Sequence, residues 1–154
     1  MKLLQLEWGR PVKLKQVKKN SIGYDVDLTK ITNRAGVYIF GRRYGSNFEA
    51  LYVGKAGNLR RRVKGHLNNL KLIQHLRNAN NGQRLVLAAR LLTKPGQRMS
   101  KSTRLAERAL IRYFLSEAHD LVNQQGTRLR RHELASSGKH PKRYFPGVIF
   151  LEKS

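Results

Sequence analysis

Apolar positions along this chain follow two different periods. Residues 37–40 (Val, Tyr, Ile, Phe) and 50–53 (Ala, Leu, Tyr, Val) are β-branched and aromatic runs. They are separated by Gly41-Arg42-Arg43-Tyr44-Gly45-Ser46-Asn47, whose glycines and asparagine supply turn conformations. The pattern predicts an antiparallel hairpin. Tyr38 and Phe40 share one face, Ala50 and Tyr52 share one face, and the register decides whether the two tyrosines meet. From Asn58, a good N-cap, the period becomes helical: Leu59, Val63, Leu67 and Leu70 form a stripe over 59–71, with Arg62 and His66 four apart beside it. A second short helix is expected over 73–79 and a third strand over 84–92, ended by Lys94-Pro95-Gly96. A long helix then starts at Ser102 or Thr103 and runs to 118. On its wheel Leu105, Ala106, Leu110, Tyr113 and Phe114 fill a broad apolar arc, and Glu107 falls inside it. A carboxylate placed there is costly unless a cation, a metal ion or hydrogen-bond donors meet it, and a salt bridge to an arginine is the simplest such partner.

The flanks are less periodic. Residues 1–34 mix Trp8, Pro11 and a lysine-rich stretch from Lys13 to Lys19, and read as an irregular or edge-strand lead-in. Residues 127–143 carry Arg128, Arg130, Arg131, Lys139, Lys142 and Arg143 against Glu133 alone, the composition of an arm that tracks phosphates and orders on binding. Residues 144–151 resume an apolar, strand-like tail. The expected organisation is a basic lead-in (1–34), a central domain (35–126) and a basic C-terminal extension (127–154) within one compact unit. The fold class is α+β, with the order β-β-α-α-β-α.

Charge narrows the function. With 32 Lys+Arg against 9 Asp+Glu, the net charge is +23 on 154 residues, which points to a polyanionic partner, nucleic acid first. A membrane surface is the rival, but the cations are spread through periodic segments and no apolar run approaches the ~20 residues of a membrane span. The opening apolar stretch is too short for a secretory signal, so a cytoplasmic location is expected, with delivery as a toxin left open. Without cysteine, disulfides and thiolate zinc sites are excluded. His75, His119, His132 and His140 lack metal-ligand spacing.

Residues suited to phosphodiester hydrolysis are nevertheless present. The reaction needs an activated water, charge stabilisation at the phosphoryl oxygens and help for the leaving oxygen. Arg62 suits the second need, since guanidinium is permanently charged and matches phosphate geometry. Glu107 can hold a divalent cation of the magnesium type, which binds through one or two carboxylates plus water and phosphate. A tyrosine hydroxyl crowded by a metal ion, Lys55, Arg62 and His66 is expected to have a lowered pKa and to serve as general base.

The string Gly36-Val37-Tyr38, then Tyr52-Val53-Gly54-Lys55-Ala56-Gly57-Asn58-Leu59-Arg60-Arg61-Arg62-Val63-Lys64-Gly65-His66, resembles the signature of the GIY-YIG nuclease superfamily over residues 35–126. The resemblance implies a small three-stranded antiparallel or mixed sheet flanked by helices, and a divalent-metal-dependent endonuclease acting on DNA, with RNA left open. It implies that Tyr38 and Tyr52 are the motif tyrosines, Gly36 and Gly54 the motif glycines, and Arg62 and His66 the helix pair. It further implies that Glu107 binds one cation, Mg2+ or alternatively Mn2+, and that Asn123 completes the set, to which Lys55 is added from the motif string. Residues 39–51 separate the half-motifs by more than is usual, predicting a long hairpin tip. Arg42 and Arg43 there, Arg60, Arg61 and Lys64 on the helix, and Arg128, Arg130 and Arg131 beyond are the expected nucleic-acid contacts. No large recognition domain is evident, so cleavage with little sequence specificity is expected. A site-specific restriction-type or mobile-element endonuclease, a non-catalytic basic nucleic-acid-binding module and an RNA-directed protein of ribosomal type are the alternatives. Monomer and homodimer both stay open.

Overall fold

The computed structural model describes residues 2–17, 23–122 and 132–151. Its strands are β1 (Lys2–Trp8), β2 (Val12–Lys13), β3 (Lys15–Gln16), β4 (Tyr24–Asp25), β5 (Gly36–Tyr44), β6 (Asn47–Ala56), β7 (Gln83–Leu92), β8 (His132–Gly138) and β9 (Val148–Leu151). Its helices are α1 (Leu59–His66), α2 (Leu70–Asn78) and α3 (Met99–Ser116), with a short 3-10 turn at Leu28–Lys30. The three strands expected from the sequence are adjacent and antiparallel, in the order β6-β5-β7. The sheet does not stop there. It continues through β1, β8 and β9, with β2 also paired to β7, giving a seven-stranded, mixed and strongly curled half-barrel in place of a small three-stranded sheet.

The flanks supply the extra strands. β1 is a central strand, antiparallel to β7 and parallel to β8, because Leu4, Leu6 and Trp8 bury one face while Gln5 and Glu7 take the other. Within the expected phosphate-tracking arm, residues 132–138 are this ordered strand β8, whose Leu134 is fully buried. The lead-in is therefore no irregular edge, and the described part of the arm begins as sheet over 132–138 before a bend and turn over 139–143.

Two cores lie on the two faces of the sheet. On one, Leu6, Trp8, Val37, Ile39, Leu87 and Ala89 meet Ala106, Leu110 and Phe114 of α3. On the other, Tyr38, Phe40, Val86 and Ala88 meet Leu59 and Val63 of α1, Leu72, Ile73 and Leu76 of α2, and Ile31. Each fully buried large apolar side chain contributes roughly 2–3 kcal/mol, so the alternation along β5 pins its register against both neighbours.

Four local details depart from the sequence pattern. A bulge places Leu51 opposite the Phe40/Gly41 junction, so Tyr52 pairs with Phe40 while Ala50 pairs with Gly41 and turns to the α3 core, away from the face of Tyr52. The hairpin tip is no long loop: the strands run on to Tyr44 and Asn47, joined by Gly45 at φ +60° and Ser46. Helix 59–71 is cut at His66, because the Asn69 side chain accepts from the Leu72 N–H and starts α2 at Leu70. α3 begins a turn early at Met99, and the Thr103 hydroxyl donates back to the Met99 carbonyl inside the helix instead of capping it.

Candidate active site

The sheet face that carries Tyr38 also collects the other aromatic members of the motif. The rings of Tyr38 and Tyr52 stack with centroids 6.1 Å apart and an interplanar angle of 17°. His66, at the last turn of α1, enters between them and Phe40: its ring centroid lies 5.3 Å from Tyr38, 4.9 Å from Tyr52 and 6.1 Å from Phe40. The Tyr38 hydroxyl is hydrogen-bonded to Nε2 of His66 at 2.5 Å. Both motif glycines make room for this arrangement. A β-carbon on Gly54 would run into the hydroxyl end of the Tyr38 ring, and one on Gly36 would run into the Ala89 backbone of β7. Phe40 was absent from the candidate residues, although its place two residues from Tyr38 on one strand face is the signal that finds it.

Burial sets the protonation of this cluster. Tyr38 is 0% exposed, and burial, followed by the neighbouring Tyr52, pushes its hydroxyl well above the ordinary tyrosine range despite the Arg62 guanidinium beside it. The expected lowering of a tyrosine pKa is thus reversed for Tyr38 in the protein by itself. His66 is buried too, and burial and then Arg62 bring its pKa down to about 4, so the ring is neutral at pH 7. Its Nδ1 meets no hydrogen-bond partner among the described residues.

Two further elements bring charge to the cluster. Arg62, on the exposed strip of α1, places its guanidinium beside the hydroxyls of both Tyr38 and Tyr52. Glu107 reaches across from α3, half-buried, towards the backbone N–H of Lys55 at the end of β6. Burial raises its pKa, against the pull of Lys55, Arg108 and Arg62. Among the described residues no side chain closes an ion pair on it; cations surround it without contact. Tyr38, Tyr52, Lys55, Arg62, His66 and Glu107 are therefore gathered from β5, β6, α1 and α3 at one end of the sheet.

The donor set can be compared with the implied cation. No group of three or more acidic or histidine ligands occurs among the described residues, and His66 is committed to Tyr38. A single carboxylate fits a hard cation that keeps most of its ligands as water and phosphate oxygen. It does not fit zinc.

The expected nucleic-acid contacts divide. Arg42 is 7% exposed: its Nε donates to Glu49 at 2.7 Å, a second nitrogen donates to the Asn81 carbonyl at 2.9 Å, and its guanidinium lies 4.0 Å from the Tyr44 ring centre. It holds the hairpin to β7's entry and is not a surface cation. Arg43 reaches the Tyr144 hydroxyl at 3.5 Å, and Arg60 donates to the Ile31 carbonyl at 2.9 Å. Arg61 and Lys64 are exposed on α1, as expected. Asn123, Arg128, Arg130 and Arg131 lie outside the described residues. Three further histidines bond the backbone: His75 bonds the Asp120 carbonyl at 2.7 Å, His119 Nδ1 accepts the Ala50 N–H at 2.8 Å, and His140 bonds the Phe145 carbonyl at 2.9 Å.

No helix among the described residues is long and apolar enough to cross a membrane. Comparison with protein-family models, with curated proteins and with solved structures finds no match to this chain.

Proposed function

We propose that this protein is a metal-dependent DNA endonuclease that hydrolyses phosphodiester bonds with little sequence specificity. The observation that carries the reading is the convergence of Glu107, on the distant α3, with Arg62 and the Tyr38–Tyr52–His66 cluster of the consecutive elements β5, β6 and α1. The resemblance to the GIY-YIG signature and the charge of +23 support the same substrate class.

In this reading Arg62 meets the phosphoryl oxygens and stabilises the charge that develops on them. Glu107 is the carboxylate that would hold one divalent cation, Mg2+ or Mn2+, which when bound supplies Lewis-acid polarisation of the phosphate. Water gives its proton to the hydroxyl of the half-exposed Tyr52. Tyr52 passes its own proton to the neighbouring Tyr38, on which its ring is stacked, and Tyr38 passes its proton to the neutral Nε2 of His66. Neither tyrosine has to persist as phenolate, which burial disfavours at Tyr38. An anionic phosphate beside Arg62 offsets the positive field that adds to burial in keeping His66 neutral, raising its capacity for the proton.

The competing reading is a non-catalytic nucleic-acid-binding module. Full burial of Tyr38 favours it, since that hydroxyl cannot touch substrate. Nicking of supercoiled plasmid with Mg2+, against the same reaction in EDTA, separates the two.

A further inference from the structure

A recess of about 460 Å³ opens on the sheet beside the candidate site. Its floor includes Val12, Ile31 and Ala88, all members of the core on the Tyr38 face, and Ala88 is the register partner of Tyr38 on β7. The near wall of the recess is thus one strand, roughly 5 Å, from the tyrosine cluster. Its rim carries Arg10, Lys30, Arg90 and Lys139 against one carboxylate, Glu7, which pairs with Arg90 at 2.8 Å.

The flanking segments build this feature. Lys139 follows β8 and is held against β1 by its N–H bond to the Trp8 carbonyl at 2.7 Å. The first turn of α1 is tied to the opposite wall, Arg60 donating its backbone N–H to the Thr32 carbonyl at 3.1 Å and its side chain to Ile31. The recess therefore has a fixed relation to Arg62, two residues along the same helix. Arg10, Lys30 and Lys139 are exposed, and grouping them costs mutual repulsion that an anion would relieve. The volume lies within the ~300–1,000 Å³ of small-molecule sites, and the apolar floor suits more than an inorganic ion.

We propose that this recess is a second subsite that takes one nucleotide of the bound nucleic acid away from the scissile bond, its phosphate against Arg10, Lys30 and Lys139 and its sugar over Val12, Ile31 and Ala88. The identity of the ligand rests on the nuclease reading; the site itself does not. The test is fluorescence anisotropy with 5′-labelled single-stranded and duplex DNA in EDTA, titrated across salt. Lys30→Ala/Lys139→Ala is compared with Lys101→Ala/Arg104→Ala on α3, whose cations are exposed but belong to the helix on the other sheet face. The recess variant is expected to lose about ten-fold in affinity, and its log–log salt slope to fall by about 1.5–2, with its melting temperature unchanged and the α3 variant near wild type. An unchanged slope, or an equal loss in the α3 variant, overturns the proposal. Gly9→Leu adds bulk without charge, since a β-carbon there meets only the Ala88 carbonyl oxygen, at 3.8 Å. It is expected to weaken binding while leaving the slope intact, and wild-type affinity in this variant overturns the nucleotide-sized occupant. Loss of binding in the recess variants together with an absence of nicking by wild type would retain the subsite and remove the nuclease.

Discussion

The Tyr38 hydroxyl and Nε2 of His66 are hydrogen-bonded at 2.5 Å inside a core where Tyr38 is 0% and His66 4% exposed. Two polar groups are thus buried on the strength of one bond, because Nδ1 of the same ring has no partner among the described residues. Tyr38→Phe should leave both ring nitrogens without a partner and cost about 1–3 kcal/mol in chemical denaturation. Nicking should fall by about 100-fold, the effect of breaking a proton path. A large stability loss with unchanged nicking would assign the pair to folding alone.

The pH dependence of stability follows from the same ring. His66 has a pKa of about 4 in the folded protein against an ordinary 6.5, so the unfolded chain binds the extra proton between those values. The stabilisation is complete above pH 6.5, is lost as pH falls towards 4, and changes no further below that. The loss attributable to this residue is roughly 3 kcal/mol. His119 and His140 are also pushed down by burial and add to the same limb. Comparing urea unfolding at pH 7 and pH 4 for wild type and His66→Phe isolates the His66 share: the variant should show the smaller difference. Equal differences would contradict a neutral buried His66.

Gly54 is required by a side chain and not by its backbone, since what a β-carbon would meet is the end of the Tyr38 ring. Gly54→Ala should displace that ring from His66, destabilise by about 1–3 kcal/mol, and abolish nicking. In Tyr38→Phe/Gly54→Ala the missing hydroxyl gives back part of the space, so the two stability losses should sum to more than the double variant shows. Strict additivity would show that the glycine serves something else.

Arg42 and the α1 cations should behave oppositely. Arg42→Ala breaks the bond to Glu49 and frees the Asn81 carbonyl, costing about 2–4 kcal/mol with no change in the salt slope of DNA binding. Arg61→Ala/Lys64→Ala removes exposed charge and should lower that slope by about 1–2 at wild-type stability. Calorimetry and anisotropy on the two variants check both halves; a slope change in Arg42→Ala would return it to the nucleic-acid interface.

The strands around Tyr38 and Tyr52 were legible because their β-branched and aromatic runs are bounded by glycine, and α1 because Asn58 caps a clear apolar stripe. β1 carried the same kind of signal in Leu4, Leu6 and Trp8. Leu3 interrupts its alternation, and its partners β7 and β8 lie 83 and 130 residues away in register pairs such as Glu7 with Arg90 and Leu4 with Leu134. Pairing over such distances leaves no local mark, which is why a seven-stranded sheet read as three. The bulge at Leu51 is equally silent in sequence. Of the candidate site, residue types and order were readable, whereas burial was not. Tyr38 was expected beside cations that lower its pKa, and the structure surrounds it with Phe40, Tyr52 and His66, which reverse the sign.

The central claim rests on Glu107. Supercoiled plasmid should be nicked by wild type in Mg2+ and not in EDTA, and Glu107→Gln, which keeps the shape and an acceptor for the Lys55 N–H, should lose about 100-fold or more of that activity while binding DNA as tightly. Wild type and Glu107→Gln equally inert across Mg2+ and Mn2+, or equally active, would contradict the account.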